Sequence, residues 1–121
     1  MAETTSDAHD LPLFLSSVKP PLDGDIYHIE AQEHYVRVAT ASEKRMLLYR
    51  FSDAIREMPS DVGMQVHRSH WVAYKAVVDV LKEGQSLKLA LSDNNSIPVS
   101  RSFRTRVEEK FSAIKTKPIE A

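Results

Sequence analysis

Beyond Ile26, apolar residues recur mostly at the two-residue spacing of strands that bury one face. Ile26, Ile29 and Ala31 mark a first run, and the segment Tyr35, Val36, Arg37, Val38, Ala39 and Thr40 is a second, rich in β formers, with Val36 and Val38 on one side. Residues 46–49 make a third, reached through the short connection Ala41, Ser42, Glu43 and Lys44. The period then changes. Phe51, Ala54, Ile55 and Met58 stand at i, i+3, i+4 and i+7, the stripe of a short helix that Pro59 ends, with Ser52 as its expected N-cap. After an expected turn at Asp61, Val62 and Gly63, strands resume over 64–67, 71–73, 77–81, 87–91 and 97–99, divided by turn residues at Gly84 and at Asp93, Asn94 and Asn95. Leu87, Leu89 and Leu91 alternate with Lys88 and Ala90, as in a half-buried antiparallel strand. A second helical stripe, Phe103, Val107, Phe111 and Ile114, follows, with Arg104, Arg106 and Lys110 off it. Ser100, Ser102 or a Thr105/Glu108 capping box could start it, and the pattern leaves the three open.

These periods predict a mostly β fold, a sandwich-like domain of about eight short strands in antiparallel sheets, with one short internal helix and one C-terminal helix. Trp71, Val72, Val66 and Tyr35 lie in strand runs and are expected in or near the core, and His67 is expected to be packed or hydrogen-bonded. Pro98 suits a strand start or an edge. The length of 121 residues with 42% apolar content supports one core rather than two. We expect an acidic flexible tail over 1–11, a domain over 12–116 and a flexible C-terminus over 117–121, with the apolar residues 11–15 docking on the domain or facing a partner. No apolar run approaches the length that spans a bilayer, so no membrane contact is expected of this segment. The acidic, polar start lacks the basic and apolar parts of a secretory signal, so a cytoplasmic location is expected. The absence of cysteine excludes disulfides, thiolate nucleophiles and cysteine-based zinc sites.

Charge changes the picture further. The net charge is −1, but residues 1–33 carry one cation against seven anions, and residues 34–121 carry fifteen cations against ten anions. An acidic lead precedes a basic body able to meet a phosphate backbone. The cations worth following stand where strand runs end, in Val66, His67, Arg68, Ser69, His70, Trp71, Val72 and Ala73 and again in Ile97, Pro98, Val99, Ser100 and Arg101. There a rigid scaffold can offer side chains to a ligand.

With Glu33, His34, Tyr35, Val36, Arg37 and Val38, and with Phe51, Ser52, Asp53, Ala54 and Ile55, those two stretches resemble the LytTR-type DNA-binding domain of bacterial transcription regulators. All four pieces occur in the family's order and spacing, and the likeness spans about residues 12 to 114. The resemblance implies sequence-specific binding of double-stranded DNA by loops entering the major groove, on paired direct repeats. It implies too a regulator, or the output domain of one, whose receiver or sensory domain lies outside this chain and which self-associates on DNA. By the same resemblance His34, Arg68 and the group Ser100, Arg101, Ser102 and Arg104 fall at the contact positions, with Ser69 beside Arg68 in the second of them. Imidazole can donate or accept at a base edge, and a guanidinium can bind guanine O6 and N7 together. Helix N-terminal amides and arginines at the third region would favour phosphate. Ser102 stands where relatives often carry a longer polar or basic residue, which shifts weight to Arg101 and Arg104.

Other chemistry finds little support. His67 and His70 form an H-x-x-H pair, but on a continuous strand i and i+3 point to opposite faces, so no metal is expected. Neither Ser69 nor Ser100 sits in a G-x-S-x-G elbow, no acidic pair suits acid–base work, and three glycines form no phosphate loop. We therefore expect no enzyme, no catalytic residues and no cofactor. The alternative is a β-rich binding module for a protein or an anionic small ligand, clamped by Arg68 and Arg101.

Overall fold

The computed structural model describes residues 25–112 and 116–118. The expected acidic tail, the apolar residues 11–15 and Ile114 lie outside the described residues. Strands β1 (Ile26–Gln32), β2 (Tyr35–Thr40) and β3 (Lys44–Leu48) come first, followed by helix α1 (Phe51–Glu57) and strands β4 (Gly63–His67) and β5 (His70–Ala73). A 3-10 turn at Tyr74–Ala76 leads to β6 (Val77–Glu83), β7 (Ser86–Leu91) and β8 (Ser96–Val99). A second 3-10 turn, Arg101–Phe103, then runs into helix α2 (Arg104–Lys110), and β9 (Thr116–Pro118) closes the order. One sheet has five strands in the order β3-β2-β1-β5-β4, and the other has four, β8-β7-β6-β9. The mostly β class, with antiparallel sheets and two helices, agrees with the sequence pattern.

Alternation explains the burial along β7 and the first part of β2. Val36 and Val38 are fully buried on β2 while Arg37 between them is not, and Leu87, Leu89 and Leu91 are buried on β7. With Ile29, Val66, Trp71, Val72, Val80, Val107 and Phe111 they form one continuous core, each fully buried aliphatic side chain contributing roughly 1.5–3 kcal/mol. The hairpin between β2 and β3 is fixed by Thr40, whose Oγ1 accepts the backbone N–H groups of Ser42 and Glu43 at 3.2 and 3.1 Å. Pro98 sits on the edge strand β8, where a missing N–H breaks no ladder.

Several expectations need correction. Helix α1 starts at Phe51, one residue ahead of Ser52, with Arg50 extended before it and no side-chain cap. It ends as expected, because Pro59 forces Met58 out of the helical region, to φ −81° and ψ 134°. None of the three candidate caps bonds the start of α2, since the 3-10 turn already continues into the helix. Tyr35 is 44% exposed, because it opens β2 opposite Leu48 of the edge strand β3. Gly63 belongs to β4 rather than to a turn. A Cβ there would meet the Trp71 ring and the Val72 carbonyl oxygen at 2.3 Å, so the position needs space rather than an unusual backbone angle. Finally, a ninth strand, Thr116–Pro118, pairs parallel to β6, where the pattern predicts about eight strands. Backbone pairing needs no alternation of side chains, so the pattern carried no sign of it.

Candidate nucleic-acid interface

Three exposed segments converge at one end of the five-stranded sheet. The first is the two-residue turn between β1 and β2, where Gln32 pairs with Tyr35 and Glu33 holds a φ of 56°. Such a backbone conformation strains a residue with a Cβ, and strain of this kind gathers at functional loops. His34 follows it, exposed to solvent.

The second segment is the turn between β4 and β5, which carries Arg68 and Ser69. The register slips between Gln65 and His67, a bulge of the kind that re-aims side chains near a site. Ser69 is held on both sides of its peptide: its N–H donates to His67 Nδ1 at 3.1 Å, and its carbonyl accepts the Ala31 N–H at 2.9 Å. That second bond ties the turn to the end of β1, next to the His34 turn. Arg68 is exposed, and no ion pair engages it among the described residues. The surface ion pair that would have explained it structurally is missing there.

The third segment follows β8. The Ser100 N–H donates to the Val66 carbonyl at 3.0 Å, which fixes this segment beside the bulge of β4. Ser100 Oγ lies 3.5 Å from Ser102 Oγ, and Arg101 and Ser102 are exposed. Arg104 differs from the other two arginines. Its Nη1 donates to the Gln85 carbonyl at 2.6 Å and its Nε lies 3.5 Å from Glu108 Oε2, so it braces α2 against the β6–β7 turn.

Behind these turns lies a group that the H-x-x-H argument misjudged. His67 and His70 are not on one continuous strand but face each other across the two-residue turn, so their rings share a side and approach edge-on at 5.0 Å. His70 in turn stacks on His28, ring centroids 5.1 Å apart, and a 2.8 Å hydrogen bond joins His28 Nε2 and His70 Nδ1. Burial, chiefly, then His70 and Arg37 nearby, push the His28 pKa down to about 4, against a weak opposing pull from Asp93 and with a further small push from Lys44. His70 is lowered too, first by burial and then by His67 and Arg37, while Glu30 acts the other way. Glu30 accepts from Arg37 Nη2 at 3.0 Å. His28, Glu30 and His70 each offer a ligand atom, all within 4.8 Å of one another. Sequence reasoning passed over His28 and Glu30, although their i, i+2 spacing on a strand was the available sign that they share a face.

Comparison with known proteins gives a consistent picture. A family model described as the LytTr DNA-binding domain matches residues 21–112. Two heme-containing CO-sensing transcriptional regulators of Paraburkholderia xenovorans (strain LB400), RcoM 2 and RcoM 1, are 28% and 26% identical to the chain over 92 residues. Each match covers 74% of this chain and 34% of the relative, so the chain spans about a third of the length of these curated relatives. Among solved structures, the LytTr DNA-binding domain of a putative methyl-accepting/DNA response regulator from Bacillus cereus superposes with a TM-score of 0.65 at 17% identity, over 71% of this chain and 80% of that one. At that identity the likeness is one of fold. No helix among the described residues is long and apolar enough to cross a membrane.

Proposed function

The chain belongs to the LytTr DNA-binding domain family, and on that footing we propose that it binds double-stranded DNA sequence-specifically, as a transcription regulator or its output domain. Loops rather than a recognition helix enter the major groove in this reading. The observation that carries it is the gathering of the His34 turn, the Arg68–Ser69 turn and the Ser100–Ser102 segment at one end of the sheet, held by the Ala31–Ser69 and Ser100–Val66 backbone bonds. Two arginines project there from braced backbone, and bidentate pairing of a guanidinium with guanine is the commonest specific contact in a major groove. Arg68 and Arg101 read bases, and His34 reads an edge from the neighbouring turn. Ser69, Ser100 and Ser102 hold phosphate oxygens, the task of most protein–DNA hydrogen bonds. Arg104 positions the third segment by holding α2 to Gln85. Paired direct repeats on the DNA, and self-association across them, complete the model.

Selection of duplexes from a randomised pool at near-physiological salt tests this. Enrichment of a short motif, repeated at about one helical turn, is the expected result. Absence of any enriched motif from a folded chain would remove the DNA reading. A clamp for an anionic small molecule or a protein partner then takes its place, and salt separates the two. DNA affinity falls steeply with salt in proportion to the phosphates neutralised, whereas an interface led by apolar contacts responds weakly.

A further inference from the structure

Behind the β4–β5 turn, one face of the five-stranded sheet collects side chains whose donor atoms meet. His28 and Glu30 share a face of β1, and Glu30 is paired directly with His70 of β5. His28 is 7% exposed and Glu30 and His70 are half-buried. We propose that His28, Glu30 and His70 bind a divalent cation of the zinc class, through His28 Nε2, His70 Nδ1 and one Glu30 carboxylate oxygen. Cation binding here does not depend on DNA binding at the turns.

The donor set suits such an ion. Imidazole nitrogen and carboxylate oxygen bind zinc at about 2.0–2.2 Å, which sets two ligand atoms of a tetrahedral site about 3.3 Å apart. The two ring nitrogens stand 2.8 Å apart, so they open by about half an ångström to admit the ion, a movement within reach of side-chain torsions. In the ion-free chain a proton bridges the two nitrogens. The cation replaces it, and that proton moves to the other nitrogen of the same ring, leaving two neutral imidazoles as donors. Arg37 engages Oε1 of Glu30, but a carboxylate has acceptor capacity on both oxygens, so the guanidinium orients the ligand without using it up. His67, whose Nδ1 accepts the Ser69 N–H, is not among the three residues whose donor atoms meet. Two nitrogens and one oxygen disfavour magnesium and calcium, which take oxygen ligands, and leave a fourth tetrahedral position for water.

The test is calorimetric titration of the chelator-treated full chain with zinc chloride, alongside the visible spectrum with cobalt(II). One ion per chain and the intense absorption of tetrahedral cobalt are expected. Glu30→Gln and His70→Gln each weaken zinc binding about tenfold or more, while His34→Ala leaves it unchanged. Circular dichroism reports folding of each variant, and Glu30→Gln, at a half-buried position, covers the case in which His70→Gln does not fold. Ring-nitrogen NMR signals of His28 and His70 shift on zinc addition in the unmodified chain. Lack of stoichiometric uptake overturns the site, as does uptake that survives both substitutions or disappears with His34→Ala.

Discussion

The turn between β4 and β5 and the turn between β6 and β7 each reverse the chain in two residues, yet they use different means. At the second, Glu83 pairs with Ser86 and Gly84 supplies a φ of 60° in open space. Glycine adopts that geometry at no steric penalty, and nothing else is needed. The first turn has no glycine. His67 pairs with His70, and Arg68 and Ser69 between them are held by the His67 ring from one side and by Ala31 from the other. A turn that must present side chains cannot spend its positions on glycine, so neighbouring strands supply the constraint instead. The difference fits the proposed function, in which the β4–β5 turn presents Arg68 and the β6–β7 turn connects, although the latter's Gln85 carbonyl anchors Arg104.

Glycine substitution should break this comparison most visibly. Gly63 opens the strand leading into the presenting turn and lies against Trp71 and the Val72 carbonyl, neither of which can retreat from a Cβ. Gly63→Ala is expected to destabilise the chain by about 3 kcal/mol or more, as overpacking against backbone does. Gly84→Ala, limited only by its backbone angle, should cost about 1 kcal/mol. Urea denaturation midpoints report both, and equal losses would remove the distinction between a hairpin constrained by packing and one constrained by conformation.

Acid should act next on the histidine stack beside the β4–β5 turn. The folded His28 pKa, near 4, lies below its ordinary 6.5, so the unfolded chain binds more protons between those values. This contribution is intact above about pH 6.5 and is lost as pH falls toward 4, amounting to about 3 kcal/mol at most, with His70 acting in the same direction. Urea midpoints taken with chelator present from pH 7 to 4 should fall more steeply for the unmodified chain than for His28→Phe, if that variant folds. Parallel curves would mean that the histidine stack contributes nothing to acid sensitivity.

These contrasts also show what the sequence made legible. Strands whose apolar residues alternate, such as β2 and β7, were readable because one face meets the core and the other does not. The helix stop at Met58 was readable because proline restricts its predecessor. Features that depend on what lies opposite were not. Tyr35 has a β former's composition but faces an edge strand. Gly63 reads as a turn residue until Trp71 is seen against it. Thr116–Pro118 joins its sheet by backbone pairing with β6. Arg101 and Arg104 carry equal weight by motif, and the Gln85 carbonyl and Glu108 separate the second of them from Arg101 and from Arg68.

That separation gives the next prediction. Arg68→Ala and Arg101→Ala should each weaken binding to the selected site by about 1–3 kcal/mol while leaving urea midpoints unchanged. Arg104→Ala should shift the midpoint by about 1 kcal/mol, since it removes a charged donor from a backbone carbonyl. Competition binding on specific and random duplexes, run beside denaturation, distinguishes the two classes. If Arg68→Ala and Arg101→Ala both bind as tightly as the unmodified chain, the assignment of base reading to this end of the sheet is wrong.

The smallest expected effect concerns the His34 turn, where Glu33 carries backbone strain. Glu33, at φ 56°, occupies a conformation that glycine takes freely, so Glu33→Gly should raise stability by about 0.5 kcal/mol, strain relief being partly offset by the larger entropy of the unfolded chain. Removing its carboxylate should also strengthen binding to any duplex slightly, because one negative charge leaves the end proposed to face phosphate. Sequence preference is the informative readout. If Glu33→Gly is more stable and binds random DNA better but discriminates less, the strained turn exists to aim His34, and His34→Ala should lose discrimination to the same degree. A more stable variant with unchanged discrimination would assign the turn to chain reversal, as at Gly84. Base reading would then rest on the braced turn at Arg68 and on Arg101.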